Sequence, residues 1–304
     1  MSSLIEQAAL RLEQLRQAGV DVPAASMPVK PAHQSPVPDA LVNHAAVPDQ
    51  ATVTSRHVEL NFEALEATRI LTPDAPRSRQ ADQYRVVKRP LLKNAMDKGA
   101  TALTHGNLIM VTSALAGEGK SFTAINLAMS IAAEQDNTVM LVDADVARPS
   151  ILRILGLPHG PGLLDLLEQN AEMSDVLLRT NIDKLTILPS GTPHARATEL
   201  LASDAMSHLL DDMANRYPDR IIIFDSPPLL LTTEARVLAS HMGQIVMVVQ
   251  ADKTKQSDVQ NALSTIEACP VRMLLLNQAR SDAADGYGYS YGYGYGRVHE
   301  NEVA

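Results

Sequence analysis

Tryptophan is absent from this chain of 304 residues, aromatic residues make up only 3% of it, and cysteine occurs once, as Cys269. A core must therefore rest on Leu, Ile, Val, Ala and Met. No intramolecular disulfide can form, and a reducing compartment is the simplest inference. No apolar run reaches the roughly 18 residues of a membrane span, and no basic stretch followed by an apolar one opens the sequence as a secretory leader would. The expectation is a cytoplasmic chain, peripheral to the inner membrane only through a partner. Positive charge is also scarce: 26 Lys and Arg against 35 Asp and Glu leave a net −9. A nucleic-acid backbone needs a basic face, so it is excluded as the main partner. A single nucleotide needs only a local positive site and is not excluded.

What is present centres on the stretch from Val111 to Ser121. An apolar run from Leu108 to Val111 leads into Gly117-Glu118-Gly119-Lys120-Ser121, after which Ile125, Ala128, Met129 and Ala132 recur at helical spacing. Strand, glycine turn and helix in that order make a P-loop, whose backbone N–H groups and helix dipole aim at phosphate. In this reading Gly117 and Gly119 permit the curl, Lys120 reaches the β- and γ-phosphates, and the Ser121 hydroxyl sits on Mg²⁺. Glu118 and Phe122 flank the same nucleotide. The first glycine of the full pattern is replaced by Ala114.

Taken in order, residues 1–20 read as a short amphipathic helix that packs on its own protein or docks to a partner. Residues 21–79, punctuated by proline, read as a mostly disordered linker, with a helix possible from Leu60 to Leu71. From residue 80 to 280 apolar runs alternate with helical ones, as a parallel sheet covered on both faces requires. Strands are expected at Leu108–Val111, Val139–Val142, Leu185–Leu188, Ile221–Phe224, Ile245–Val249 and Met273–Leu276. Helices are expected at Gln80–Met96, interrupted or kinked at Pro90, and at Ala197–Asn215, Thr233–His241 and Lys255–Glu267. The predicted fold is α/β, a doubly wound and mostly parallel sheet of the P-loop NTPase type, with a disordered N-terminal linker and a flexible tail.

In such sheets ligands bind at the carboxyl ends of the strands. Asp143 and Asp145 follow the second predicted strand and Asp225 the fourth, so these acids and the Lys120 loop fall on one rim. Their conjunction predicts phosphoryl chemistry with ATP and Mg²⁺, Asp225 holding the metal through water and the acids of the Asp143–Asp145 pair taking different tasks, one near the metal and one near an incoming hydroxyl. Asn277, at the end of the last strand, meets an adenine edge or is simple turn chemistry. Residues 281–304 form the tail, where Tyr287, Tyr289, Tyr291, Tyr293 and Tyr295 alternate mostly with glycine. Such a run packs no core strand. It presents phenols for phosphorylation or is an adhesive low-complexity tail.

Together these residues resemble the bacterial tyrosine autokinases, and within them the exosortase-associated subgroup that accompanies exopolysaccharide export. The resemblance runs from about Gln80 to Arg297. It implies that Gly117–Ser121 is the Walker A loop, Val142–Asp145 the additional Walker A′ motif and Asp225-Ser226-Pro227-Pro228 the Walker B motif. Lys120, Asp143, Asp145 and Asp225 are then catalytic and the five tail tyrosines the phosphoacceptors. The family's ring-forming E-x-x-R-x-x-R element is matched by Asp82, Arg85 and Lys88, two of them substitutions. The resemblance further implies a homo-oligomer, a separate membrane polysaccharide co-polymerase as activator, and a tyrosine phosphatase. The alternatives are a partitioning or positioning ATPase, whose signature lysine would stand where Leu115 is, and a non-catalytic ATP-binding assembly protein.

Overall fold

A computed structural model describes residues 55–73, 78–100, 102–216 and 219–279. The chain divides into two units, 1–51 and 52–304, and every described residue belongs to the second. The expected N-terminal helix, most of the linker and the tyrosine tail lie outside the described residues.

In chain order the elements begin with β1 (Arg56–Val58), α1 (Phe62–Ala67), α2 (Arg79–Met96), β2 (Leu108–Ser113), α3 (Lys120–Ala132) and β3 (Thr138–Asp143). Three short helices follow, α4 (Ile151–Ile154), α5 (Leu163–Leu167) and α6 (Met173–Val176), and then β4 (Leu178–Thr180) and β5 (Leu185–Leu188). The rest is α7 (Ala197–Leu201), α8 (Asp204–Arg216), β6 (Arg220–Asp225), α9 (Glu234–Ala239), β7 (Gln244–Gln250), α10 (Gln256–Ser264) and β8 (Val271–Asn277). All six expected strands are present. They join β1 and β4 in one eight-stranded sheet of order β1-β4-β5-β3-β6-β2-β7-β8. Every pairing is parallel except that of β4 with β5.

Strand alternation divides the core in two. Ile109 and Val111 of β2 face one apolar cluster with α1, α2, α3 and α4, while Leu108 and Met110 face the other with α5 to α10. Both faces are covered, so all six residues of β2 are buried, as expected of a central strand in a doubly wound sheet.

Three local expectations are corrected. Within the stretch assigned to a mostly disordered linker, Arg56–Val58 forms a strand, while the helix expected as possible from Leu60 to Leu71 is present as α1, and Val58, Leu60, Leu65, Ile70 and Leu71 are buried in the first cluster. Asn126 of α3 anchors them, its Oδ1 accepting from the Leu71 N–H at 2.8 Å. Pro90 does not interrupt α2. The carbonyl that loses its N–H donor there is that of Val86, a residue 74% exposed, where the lost bond is least costly. The single helix expected at Ala197–Asn215 is two, because Ser203 Oγ accepts from the Met206 N–H at 3.3 Å and starts α8 afresh.

Candidate active site

Lys120, Ser121, Asp143, Asp145 and Asp225 come together at the carboxyl ends of β2, β3 and β6, which are adjacent in the sheet. Asp143 and Asp225 are register partners across β3 and β6. Lys120 Nζ lies 2.6 Å from Asp145 Oδ2 and 3.7 Å from Asp225 Oδ1. The second separation is an ion pair but too long for a hydrogen bond. Burial disfavours the charged Lys120, yet the pull of Asp225, Asp145 and Asp143 outweighs it and holds the ammonium above its ordinary pKa.

The loop that delivers Lys120 depends on its glycines. Gly117 and Gly119 have φ of +86° and +96°, a region closed to most side chains. At Gly119 a Cβ would also meet Asn277 Nδ2 at 2.1 Å. No side chain caps α3 and no acid stands in its first turn. Its leading N–H groups and dipole are thus open to an anion.

Each carboxylate has a distinct environment. Asp143 Oδ2 accepts from the Ser150 and Ile151 N–H groups, both at 2.9 Å, whereas its Oδ1 is buried without a hydrogen-bond partner. Burial pushes its pKa up to about 6 against the pull of those two donors. Asp225 is fully buried, both of its oxygens lack a hydrogen bond, and burial raises its pKa to about 7 despite the nearby Lys120. Buried carboxylate oxygens without donors are costly, and a divalent cation with its waters would satisfy them. No group of three or more His, Cys, Asp or Glu among the described residues is arranged to hold a metal alone. Magnesium is usually bound by one or two carboxylates together with substrate phosphates.

Other expected site residues take different places. Glu118 is only 2% exposed, and its side chain turns into the loop instead of out. Its Oε2 accepts from the Leu115 N–H at 2.6 Å, and its Oε1 accepts from the Thr254 hydroxyl. Asn277 donates through Nδ2 to the Glu118 carbonyl at 2.9 Å, so its amide clamps the P-loop. Gly119, Phe122 and Asn277 line a cleft of about 700 Å³ that opens beside the P-loop, not over the acidic cluster, and is walled by α2. Tyr84 lies in that wall, its phenol pushed up to about 12 by burial. Asp82 and Arg85 form an exposed ion pair on α2 at 2.7 Å. Lys88 is turned inward, its ammonium 2.6 Å from Glu134 Oε1 and 2.5 Å from the Ser130 carbonyl.

Sequence reasoning missed two residues of this neighbourhood. Ser150 holds Asp143 through its N–H, and its Oγ lies 2.8 Å from Ser121 Oγ. The Pro149-Ser150 step before an apolar run was the available signal. Thr254, on the loop after β7, reaches Glu118 with no spacing in the sequence to announce it.

Comparison with known proteins bears on the family and the fold. Residues 106–277 match the AAA_31 family, an AAA domain. The tyrosine-protein kinase YwqD of Bacillus subtilis is 29% identical over 205 residues, which span 67% of this chain and 83% of YwqD. The tyrosine-protein kinase CpsD of Streptococcus agalactiae is 32% identical over 184 residues, 59% of this chain and 79% of CpsD. The chain belongs to the bacterial tyrosine kinases. Among solved structures, the chimerical protein CapA2B2 superimposes on this kinase with a TM-score of 0.56 at 27% identity, covering 73% of this chain and 93% of that one. The VpsO kinase domain gives 0.55 at 26% identity, covering 66% and 97%.

Proposed function

We propose that this kinase transfers the γ-phosphoryl group of ATP to the tyrosines of its own C-terminal cluster, Tyr287, Tyr289, Tyr291, Tyr293 and Tyr295. The observation that carries the reading is the meeting of Lys120, Asp145 and Asp225 within ion-pairing distance at the start of an uncapped helix. In this mechanism the α3 N-terminus and Lys120 bind the phosphates, and Lys120 exchanges its contact with Asp145 for one with the β- and γ-oxygens. Ser121, Asp143 and Asp225 would hold Mg²⁺, partly through water, and the ion would supply neutralisation of the phosphate charge. Asp145, released from Lys120, accepts the phenolic proton, because a tyrosine hydroxyl with a pKa near 10 is protonated at neutral pH. The phenolic oxygen forms the new bond to the γ-phosphorus, the bond to the bridging oxygen breaks, and ADP leaves. Phe122 and the cleft beside it take the nucleoside, with Asn277 and Glu118 shaping the loop that holds it.

The same reading assigns the kinase to the control of exopolysaccharide export, with a separate membrane co-polymerase as activator and a phosphatase that resets it. No helix among the described residues is long and apolar enough to cross a membrane. Asp82 and Arg85 remain available for assembly into a ring, while Lys88 is engaged within its own subunit. The test is incubation of the pure chain with γ-labelled ATP and Mg²⁺, beside a variant with all five tail tyrosines changed to Phe. Label retained by the wild type and lost by the variant supports the proposal. Equal labelling of both, or release of phosphate with neither labelled, overturns it.

A further inference from the structure

A second cleft, of about 400 Å³, is lined by Arg179, Arg216 and Arg220, by Ser55, Ser174 and Thr186, by Met173 and Leu177, and by one acid, Glu172. It lies far from the site described above. Arg220 opens β6 and Asp225 closes it, so five residues of extended chain, about 17 Å, separate the two. The cleft is therefore at the opposite ends of the strands, and no group bound in it shares the P-loop.

Its lining is rich in donors. Arg179 projects from β4 beside Thr186 of β5, its register partner. Among the described residues the side chains of Arg179, Ser55 and Ser174 have no hydrogen-bond or ion-pair partner, Arg179 being paired through its backbone in the sheet. Arg216 does have a partner, Asp212 at 2.7 Å, but both side chains are about half exposed, and such a surface pair is weak enough to be exchanged for a stronger ligand. The guanidinium groups of Arg179 and Arg216 and the hydroxyls of Ser55 and Ser174, against one lining carboxylate on a chain of net charge −9, mark a place that selects an anion, with Arg220 and Thr186 beside them already engaged within the fold. Guanidinium forks match the oxygens of a phosphoryl group in particular. Met173 and Leu177 add an apolar floor, where a planar ring gains what a bare inorganic anion cannot.

We propose that this cleft binds phosphotyrosine, supplied by the tyrosine tail of the same copy or of a second one. The inference rests on the proposed function for its source, since tail phosphorylation is what generates the ligand. A phosphorylated tail held there is withdrawn from the phosphoryl-transfer site, which links the kinase's own product to a remote surface. An unmodified tyrosine offers the arginines no charge and is not retained.

The test uses the full chain carrying Lys120→Met, so that its own tail bears no phosphate, and a fluorescent peptide of the sequence Gly286 to Arg297 with its tyrosines phosphorylated. Anisotropy should report binding that is at least about tenfold weaker for the unphosphorylated peptide and for Arg179→Ala, with Arg179→Lys between the two. Arg272→Ala, an exposed arginine on β8 at the other sheet edge, should bind as the parent does. Excess ATP with Mg²⁺ should not displace the peptide, and inorganic phosphate should do so only at far higher concentration. Unchanged binding in Arg179→Ala overturns the proposal, as does equal binding of the unphosphorylated peptide, displacement by ATP, or displacement by equimolar phosphate. The wild-type chain, phosphorylated by its own reaction, then separates the sources. Blocked peptide binding in a chain that sediments as before points to its own tail, and self-association that requires Arg179 points to a second copy. Full peptide binding by that phosphorylated chain, without self-association, refutes the tail as ligand. If mass measurement finds no phosphate on the wild type, the proposed function fails, while the synthetic-peptide measurements still decide whether the cleft takes phosphotyrosine.

Discussion

Among single residues, the acids and the lysine of the rim were legible because their spacing is set by the chain itself. Each follows a buried apolar run, and strands of a parallel sheet end on one side. Their partners were not, since a hydrogen bond between Glu118 and Thr254, 136 residues apart, leaves no periodic trace. Glu118 illustrates the difference: its place in the motif suggested the nucleotide, whereas its carboxylate is buried and braces the loop from within. Removing the hydroxyl that serves Glu118 Oε1 leaves a buried carboxylate oxygen short of a donor, a change on the order of 1–3 kcal/mol. Thr254→Val should accordingly weaken nucleotide binding by about tenfold, and Thr254→Ser should restore it. A fluorescent-nucleotide titration of the three proteins checks this, and equal affinities would remove Thr254 from the account.

Lys88 carries a pH signature at the same scale. Its hydrogen bond to Glu134 holds that carboxyl below the ordinary glutamate value, with burial opposing. A carboxylate with a lowered folded-state pKa stabilises fully above its unfolded value, about 4.5, and stops doing so as pH falls through the folded one. The melting temperature of Lys88→Met should thus lie below that of wild type at neutral pH, and the gap should narrow in acid. A gap that stays constant or widens in acid contradicts the pairing.

At the level of elements, the six long strands could be read because burial on both faces makes them continuous apolar runs. β1 and β4, three residues each, are too short for any period to emerge, and proline around β1 argued for a linker. What fixes that stretch is packing from outside it: Leu65 and Leu71 enter the cluster beneath α2 and α3, and Asn126 caps the exchange through the Leu71 N–H. The break between α7 and α8 was legible in Ser203-Asp204, a helix-start pair outweighed by the apolar periodicity on either side. Because Leu65 is 2% exposed, Leu65→Ala should cost about 2–5 kcal/mol by lost transfer energy and a residual cavity. Denaturant unfolding measures it. A loss within about 0.5 kcal/mol, the range of surface substitutions, would return the stretch to the linker.

For the molecule as a whole, the proposed phosphoacceptors and the proposed transfer site occupy different parts of the sequence, and the kinase fold accounts only for the second. Composition gave the tail its character, since alternating Tyr and Gly cannot build a core. Each phosphotyrosine would add about −1.5 to −2 charges to a chain already at −9. Repulsion between neighbouring tyrosines, and the arginine-lined cleft at the far ends of the strands, then become parts of one response to the reaction. The expected ring-forming element is the least legible, because one of its three residues, Lys88, spends its charge inside the subunit.

The central claim is that Lys120 and its three aspartates act as one phosphoryl-transfer site on the tail. Intact mass of the pure wild-type chain and of Lys120→Met, each after incubation with ATP and Mg²⁺, tests it most directly. The account predicts one to five phosphate increments on the wild type and a rate lower by at least about a hundredfold in the variant. Equal increments on both proteins would contradict it.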